Sequence, residues 1–376
     1  MSVAPARRIV VAGGGVGAIE ALLALHRLLA GAVELTLLAP ERAFVYRPLA
    51  VAEPFTGAAP PSLPLAEIAA EHGAAFVHDA LEEVDPQHRI VTTRDGARLP
   101  YDALVLALGA RPQPVPRGAI RFGDPRDVPA VAAVVEGVRA GRVRRIALTA
   151  AGGEGWTLPL YELALGLAAE HDRQGRAPAV FVVTPEEQPL GVFGADAAQR
   201  VTELLDEHGV QVLTAGVVER FDEGVLWIEF EGALDVDAAI ALPRLHGPAP
   251  FGIVHDGAGF VPVDEHSRAR GQQHVYAVGD MCADPVKQGG LAAQRADAAA
   301  AHIAWRHGAA PAPAPFHPIL RSVLLTGGRP RYLRADLTGA APEDGVFEQP
   351  PWWPPAKIAA RELAPYLAER LLERSA

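Results

Sequence analysis

Two rhythms of apolar residues alternate along the chain. Short unbroken runs, "IVV" at 9–11, "LTLLA" at 35–39 and "ALVLAL" at 103–108, predict strands covered on both faces. Between them apolar positions recur every three or four residues, as in "AIEALLAL" at 18–25, which predicts helices laid over those strands. The stretch 64–112 reads as a helix, a strand, an alternating segment broken by "RDG" at 94–96, and a final apolar strand ending at Ala107-Leu108-Gly109. The charged turn at "RDG" predicts a hairpin.

From about Pro116 the layout restarts. "RRIALTA" at 144–150 predicts a strand, the glycines after it a turn, and "TLPLYELALGLAAEH" a helix. "AVFVV" at 179–183 and the helix pattern at 195–210 complete an internal repeat of the opening arrangement. A last strand, "HVYAVGD" at 274–280, leads through "MCADPVKQGG" into a long helix pattern at 291–307, and the proline-rich stretch 309–318 marks a break. The division expected is 1–115 and 246–310 for one domain in two parts, 116–245 for a second domain inserted in it, and 311–376 for a small C-terminal segment.

The turn after the first strand has its own chemistry. In "VAGGGVGAIEAL", Gly13, Gly15 and Ala18 fill the three special places of G-x-G-x-x-G/A. Gly13 permits the tight turn, Gly15 lets a pyrophosphate reach the backbone, and Ala18 lets the helix sit close to the strand. The free N–H groups at the helix start then face the phosphates. An α/β fold of two Rossmann-like three-layer domains, the second inserted in the first, follows. A ribose-binding acid is expected about 20 residues on, beyond the second strand. Glu34 lies near that strand's start and Glu41 just past its end, and Glu41 is preferred because ligands bind at the carboxyl ends of parallel strands.

Charge and composition remove several function classes. A net charge of −11 argues against nucleic acid as partner. No run of about 18 apolar residues is present, and "MSVAPARR" carries no signal-peptide apolar region, so the expected location is the cytoplasm, at most peripheral to the inner membrane face. Histidines such as His246, His255 and His266 lack ligand spacing, so no metal is expected. The single cysteine, Cys282, permits no internal disulfide.

Three motifs in order, "VAGGGVGAIEAL" at 11–22, "YDALVLALGARP" at 101–112 and "VYAVGD" at 275–280, resemble the two-dinucleotide-domain FAD flavoproteins of the pyridine nucleotide-disulfide oxidoreductase fold. "PVKQGGLAAQRAD" at 285–297 and "TLPLYELAL" at 157–165 are most similar to its sulfide:quinone oxidoreductase and flavocytochrome c sulfide dehydrogenase branch. The resemblance implies a non-covalent FAD, with Asp280 on the ribityl chain and Gly279 letting the backbone pass the pyrophosphate. It implies Lys287 near the flavin pyrimidine, below the N-terminus of the helix from Gly290, where a reduced flavin gathers negative charge. A solvent-exposed lysine is the plainer alternative. "FVYRP" at 44–48 resembles the segment beside the cofactor, where Tyr46 and Arg47 either serve the flavin or pack structurally. The implied cofactor-binding set is Gly13, Gly15, Val16, Gly17, Ala18, Glu41, Arg42, Arg47, Ala107, Gly109, Gly279, Asp280, Lys287 and Gly289, with Lys287 and Tyr46 as candidates for the chemistry.

One departure from the family outweighs these matches. Sulfide-oxidising relatives use a cysteine pair, and a dithiol relay needs two thiols where this chain has one. Cys282 therefore reads as a small buried hydrophobe. In the second domain Gly152, Gly153 and Gly155 are followed by Trp156, Thr157, Leu158 and Pro159, so Leu158 takes the third special place and bulky groups crowd a phosphate turn. Glu186 remains available as a ribose acid, which leaves nicotinamide binding open. Phe347, Trp352 and Trp353 read either as an aromatic wall for a flat quinone or as core plugs, and Ala359, Leu363, Leu367 and Leu371 form an apolar stripe for the body, a second subunit or a membrane surface. The expected function is an FAD-dependent oxidoreductase that passes electrons from a small-molecule donor without a cysteine relay, with a quinone as acceptor. An NAD(P)H-dependent reductase and a flavin-binding sensor without turnover are the alternatives.

Overall fold

A computed structural model describes residues 7–29, 31–152, 155–230 and 232–373. Strand β1 (Arg7–Ala12) runs straight into helix α1 (Val16–Leu29), then β2 (Val33–Ala39), helix α2 (Leu65–Glu71), β3 (Ala74–His78) and β4 (Ala103–Leu106). Ile9 and Val11 face one side of the sheet, under α1, while Val10 and Ala12 face the other, so both faces of β1 are buried. The "RDG" turn joins strands Ile90–Thr93 and Arg98–Pro100, which pair antiparallel.

The chain then leaves for a second sheet made of β5 (Ile120–Arg121), β6 (Arg145–Ala150), β7 (Ala179–Val183), β8 (Val210–Leu213) and β9 (Ala238–Leu242). Its helices are α3 (Val128–Arg139), α4 (Leu158–Ala168) and α5 (Ala195–Glu207), and its strands pair in parallel in the order β5-β9-β6-β7-β8. The outgoing and returning connections run side by side, with Arg111–Pro112 pairing antiparallel to Leu245–His246. Back in the first domain, β10 (Val275–Ala277) adds to β4, giving a parallel sheet in the order β10-β4-β1-β2-β3. Helix α6 (Gly289–Arg306) follows and lies along α1, where Ala293, Ala296, Ala299 and Ala300 allow close approach. No helix among the described residues is long and apolar enough to cross a membrane.

The C-terminal segment is built into the body. Strands β11 (Ile319–Leu324), β12 (Arg331–Asp336) and β13 (Gly345–Phe347) form an antiparallel sheet, and helix α7 (Leu363–Glu373) closes the chain. Leu363 and Leu367 are buried in the same core as α1, so most of the apolar stripe is used within the chain, while Leu371 stays exposed. The fully buried carboxylate of Glu20 accepts the backbone N–H groups of Arg361, Glu362 and Leu363 at 2.9, 2.9 and 2.7 Å, an anion placed at the helix N-terminus. On the other domain, Lys357 Nζ lies 2.7 Å from the carboxylate of Glu162 on α4, with side-chain exposures of 8% and 1%. The same carboxylate accepts the N–H of Leu325 at 2.9 Å.

Removing one member of such a buried pair strands a charge. Lys357→Ala should destabilise the protein by about 3–5 kcal/mol, whereas the double change Lys357→Met with Glu162→Leu should regain most of that loss. Thermal unfolding of the three proteins checks both expectations, and a Lys357→Ala midpoint equal to the parent would contradict them.

Candidate functional site

The turn between β1 and α1 is fixed by contact with its neighbours. Gly13 has φ +133°, and a Cβ there would stand 2.2 Å from the carbonyl oxygen of Ala107, so only glycine fits. Its N–H donates to Leu38 O at 2.8 Å, tying the turn to β2. At Gly15 a Cβ would meet nothing within 4 Å, which leaves open space over the first turn of α1. Val16 begins the helix, and Ala18 is fully buried against the sheet. At Gly17 an added Cβ would lie 3.2 Å from Val278 Cγ2 and 3.7 Å from Gly279 N. The glycine turn and the Gly279 turn therefore form one continuous cradle.

The ends of β4 and β10 line this cradle. Ala107 N donates to Ala12 O at 2.8 Å, and Val278 N to Leu106 O at 2.9 Å, so the three strand ends stop side by side. Gly109 and Gly279 both have positive φ, +68° and +76°, turning the chain away from the strand ends. Asp280 follows, half-buried. Burial pushes its carboxyl pKa up, against the opposing pull of Lys287 and Arg47. Three residues expected from distant stretches of sequence thus act on one another electrostatically.

Glu41 lies beyond the end of β2, and its Oε2 is 3.1 Å from where a Cβ on Gly14 would stand. The carboxylate leans over the glycine turn, while Glu34 pairs with Arg8 in register at the far end of the sheet. Arg42 and Arg47 are exposed on this rim. Tyr46 differs from a group available for chemistry. Its hydroxyl is buried and accepts the backbone N–H of Ile358 at 2.8 Å, and burial pushes its pKa up to about 12. That geometry fits the packing alternative, in which Tyr46 anchors the C-terminal segment.

Lys287 is not solvent-exposed: it is 4% accessible. Its Nζ donates to Cys282 O at 2.5 Å and stands 3.5 Å from the ring centroid of Phe260, a cation over an aromatic face. Phe260 carries no motif, so sequence reading missed it. Helix α6 begins two residues later, where Gln288 caps it by accepting Leu291 N at 2.9 Å. A Cβ on Gly289 would lie 2.7 Å from Ile358 Cδ1, which makes Ile358 the C-terminal side chain that covers this helix start. Of the expected aromatic wall, Trp352 packs edge-on against Tyr332 at 5.6 Å, Phe347 sits in β13, and Trp353 is 87% exposed.

Cys282 is fully buried, and its thiol pKa is driven upward, first by burial. It packs among Val261, Met281 and Ala277 as a small hydrophobe. In the second domain Gly153 lies outside the described residues. Leu158 is buried at the start of α4, and Trp156 packs edge-on against Phe193 at 6.0 Å. Glu186 is engaged by its own domain. It accepts Thr157 Oγ1 at 3.0 Å, Tyr161 OH at 2.5 Å, Thr184 Oγ1 at 3.0 Å and Leu190 N at 3.2 Å. Tyr161, inside the 157–165 segment, and Thr184, in no motif, occupy the carboxylate that a nucleotide ribose would need.

A model of the pyridine nucleotide-disulphide oxidoreductase family matches residues 7–308. Sulfide-quinone reductase of Aquifex aeolicus (strain VF5) is 24% identical over 265 residues, a match spanning 65% of this chain and 60% of that protein's length. The X-ray structure of the sulfide:quinone oxidoreductase from that bacterium superposes with a TM-score of 0.78 at 21% identity, covering 91% of this chain and 86% of the other. The ferredoxin reductase for the CYP199A2 system of Rhodopseudomonas palustris gives 0.68 at 16% identity, over 88% and 82% of the two chains. With the cradle, the repeated domain and the family match in agreement, the chain belongs to the pyridine nucleotide-disulphide oxidoreductase family of flavin-dependent oxidoreductases.

Proposed function

We propose that the protein is an FAD-dependent oxidoreductase that passes electrons from a small-molecule donor to an acceptor such as a quinone, without a cysteine relay and without a nicotinamide nucleotide. The joined cradle carries this reading: open space over Gly15, the close approach of Gly13 to Ala107, and Asp280 on the adjoining Gly279 turn. Val16 and Gly17 open the helix whose N–H groups would meet the pyrophosphate, and Glu41 leans in as the acid for ribose hydroxyls. Asp280, half-buried and favoured in its charged form by the nearby Lys287 and Arg47, would accept a hydrogen bond from the ribityl chain. When bound, FAD would supply two-electron redox chemistry through its ring system.

The chain's own groups then set the local field. Lys287 and the N-terminus of α6, an 18-residue helix, both place positive potential on the Asp280 side of the cradle. Ile358, whose N–H donates to the Tyr46 hydroxyl, packs against Gly289 at that helix start. The relative named sulfide-quinone reductase suggests a quinone as acceptor. Sulfide as donor is disfavoured for this chain, which has one cysteine, buried and with its thiolate form opposed by burial.

Gly15→Val would fill the open space with a branched side chain, so this variant should fold and purify largely colourless. Flavin released on denaturation, per chain, measures it, and full FAD occupancy would contradict the assignment of the turn. Cys282→Ser tests the chemistry separately. Per bound flavin it should be reduced at close to the parental rate by whichever donor works. A loss of about a hundredfold, or about 2.7 kcal/mol of barrier, would instead make Cys282 catalytic.

A further inference from the structure

The far end of the first domain's sheet, where the strands begin, carries a feature that the redox reading does not use. A cleft of about 290 Å³ opens there, lined by Arg7 at the start of β1, Asp102 just before β4, His274 just before β10, and Arg306 and His307 at the end of α6, with Arg89 across from them. The chain as a whole carries a net charge of −11, yet this cleft gathers three guanidinium groups against one carboxylate. One oxygen of that carboxylate is already engaged: Asp102 Oδ2 accepts the backbone N–H of Arg8 at 2.8 Å. Among the described residues, none of Arg7, Arg89 and Arg306 forms an ion pair. Arg306 donates only to neutral groups, including the carbonyl of Gln273.

The histidines report the same positive field. Burial, and then Arg89 and Arg306, hold the His274 imidazole below its usual range. Burial acts first on His307 too, with Arg7 and Arg306 adding to it. His307 Nδ1 lies 2.8 Å from Ile303 O, which makes it the protonated nitrogen and Nε2 an acceptor. That Nε2 is buried and has no hydrogen-bond partner among the described residues. The cleft therefore offers several donors in planar forks and one acceptor left unsatisfied.

We propose that this cleft binds a small phosphate-bearing anion. Guanidinium forks match phosphate oxygens two at a time, and three unpaired ones around one concavity suit a group with more than one negative charge. A carboxylate or chloride would use the arginines but leave His307 Nε2 without a donor. A hydrogenphosphate oxygen supplies that donor through its own O–H. The volume is at the lower edge for small-molecule sites and accommodates a phosphate or pyrophosphate group, with the rest of a larger ligand outside.

Calorimetric titration of the whole protein with pyrophosphate, at constant ionic strength set by sodium chloride, tests the proposal. Saturable binding of one anion per chain is expected. Arg7→Gln and Arg306→Gln should each weaken it about tenfold or more, equivalent to about 1.4 kcal/mol, with the unfolding temperature near that of the parent to show that the variants fold. Sedimentation with phosphatidylcholine vesicles, with and without phosphatidic acid, separates the sources of the phosphate. Saturable pyrophosphate binding without sedimentation identifies a soluble ligand, and sedimentation that needs phosphatidic acid and is lost in both variants identifies a lipid headgroup. Neither kind of binding, or binding that the two variants leave unchanged, would overturn the site.

Discussion

The 2.2 Å gap between a Cβ on Gly13 and the carbonyl of Ala107 is the constraint on which the rest of the site depends. It holds the end of β1 against the end of β4, and β10 adds to β4 in parallel, so three strand ends and two helix starts share one rim. Helices α1 and α6 can start side by side because alanines line their contact. The two helix N-termini then place positive potential beside the same strand ends, which suits an anionic cofactor. Asp280 and Glu41 sit at the edges of that space, where hydroxyl groups of a ribityl chain and a ribose would stand.

The inserted domain repeats the architecture with different chemistry at its strand ends. Its sheet has the same all-parallel arrangement, and α4 starts beyond β6 as α1 starts beyond β1. The difference lies in the side chains. Leu158 opens α4 where a phosphate turn needs a small residue, and Glu186 is held by three hydroxyl groups and one backbone N–H of its own domain. Freeing that carboxylate for a ribose would leave Tyr161, fully buried, without its 2.5 Å partner. The domain instead braces the C-terminal segment through Glu162, and that segment in turn covers the first residue of α6.

Local signals in the sequence carried the strands, the glycine turn and the repeat, because each rests on neighbours within a few residues. Gly13, Gly15 and Ala18 declare themselves by spacing, and Glu41 is preferred to Glu34 on strand direction alone. Contacts between distant positions left no local trace. Tyr46 meets Ile358 across 312 residues, and Lys357 meets Glu162 across 195. For Lys287, placed beside the cofactor by resemblance alone, a surface position stays open as the alternative because nothing near it in the chain announces Phe260 beneath its ammonium group. Glu186 stood as a ribose acid on position, and only the fold brought Tyr161 and Thr184 onto it.

On the proposed reading, reducing equivalents reach the flavin site directly and not through a nucleotide bound to the inserted domain. Anaerobic mixing of the FAD-loaded protein with millimolar NADH or NADPH, following visible flavin absorbance, measures this most directly. Slow bleaching without saturation, beside rapid bleaching by a reduced small-molecule donor such as a hydroquinone, is the predicted result. Fast, saturable bleaching by either nucleotide would contradict it.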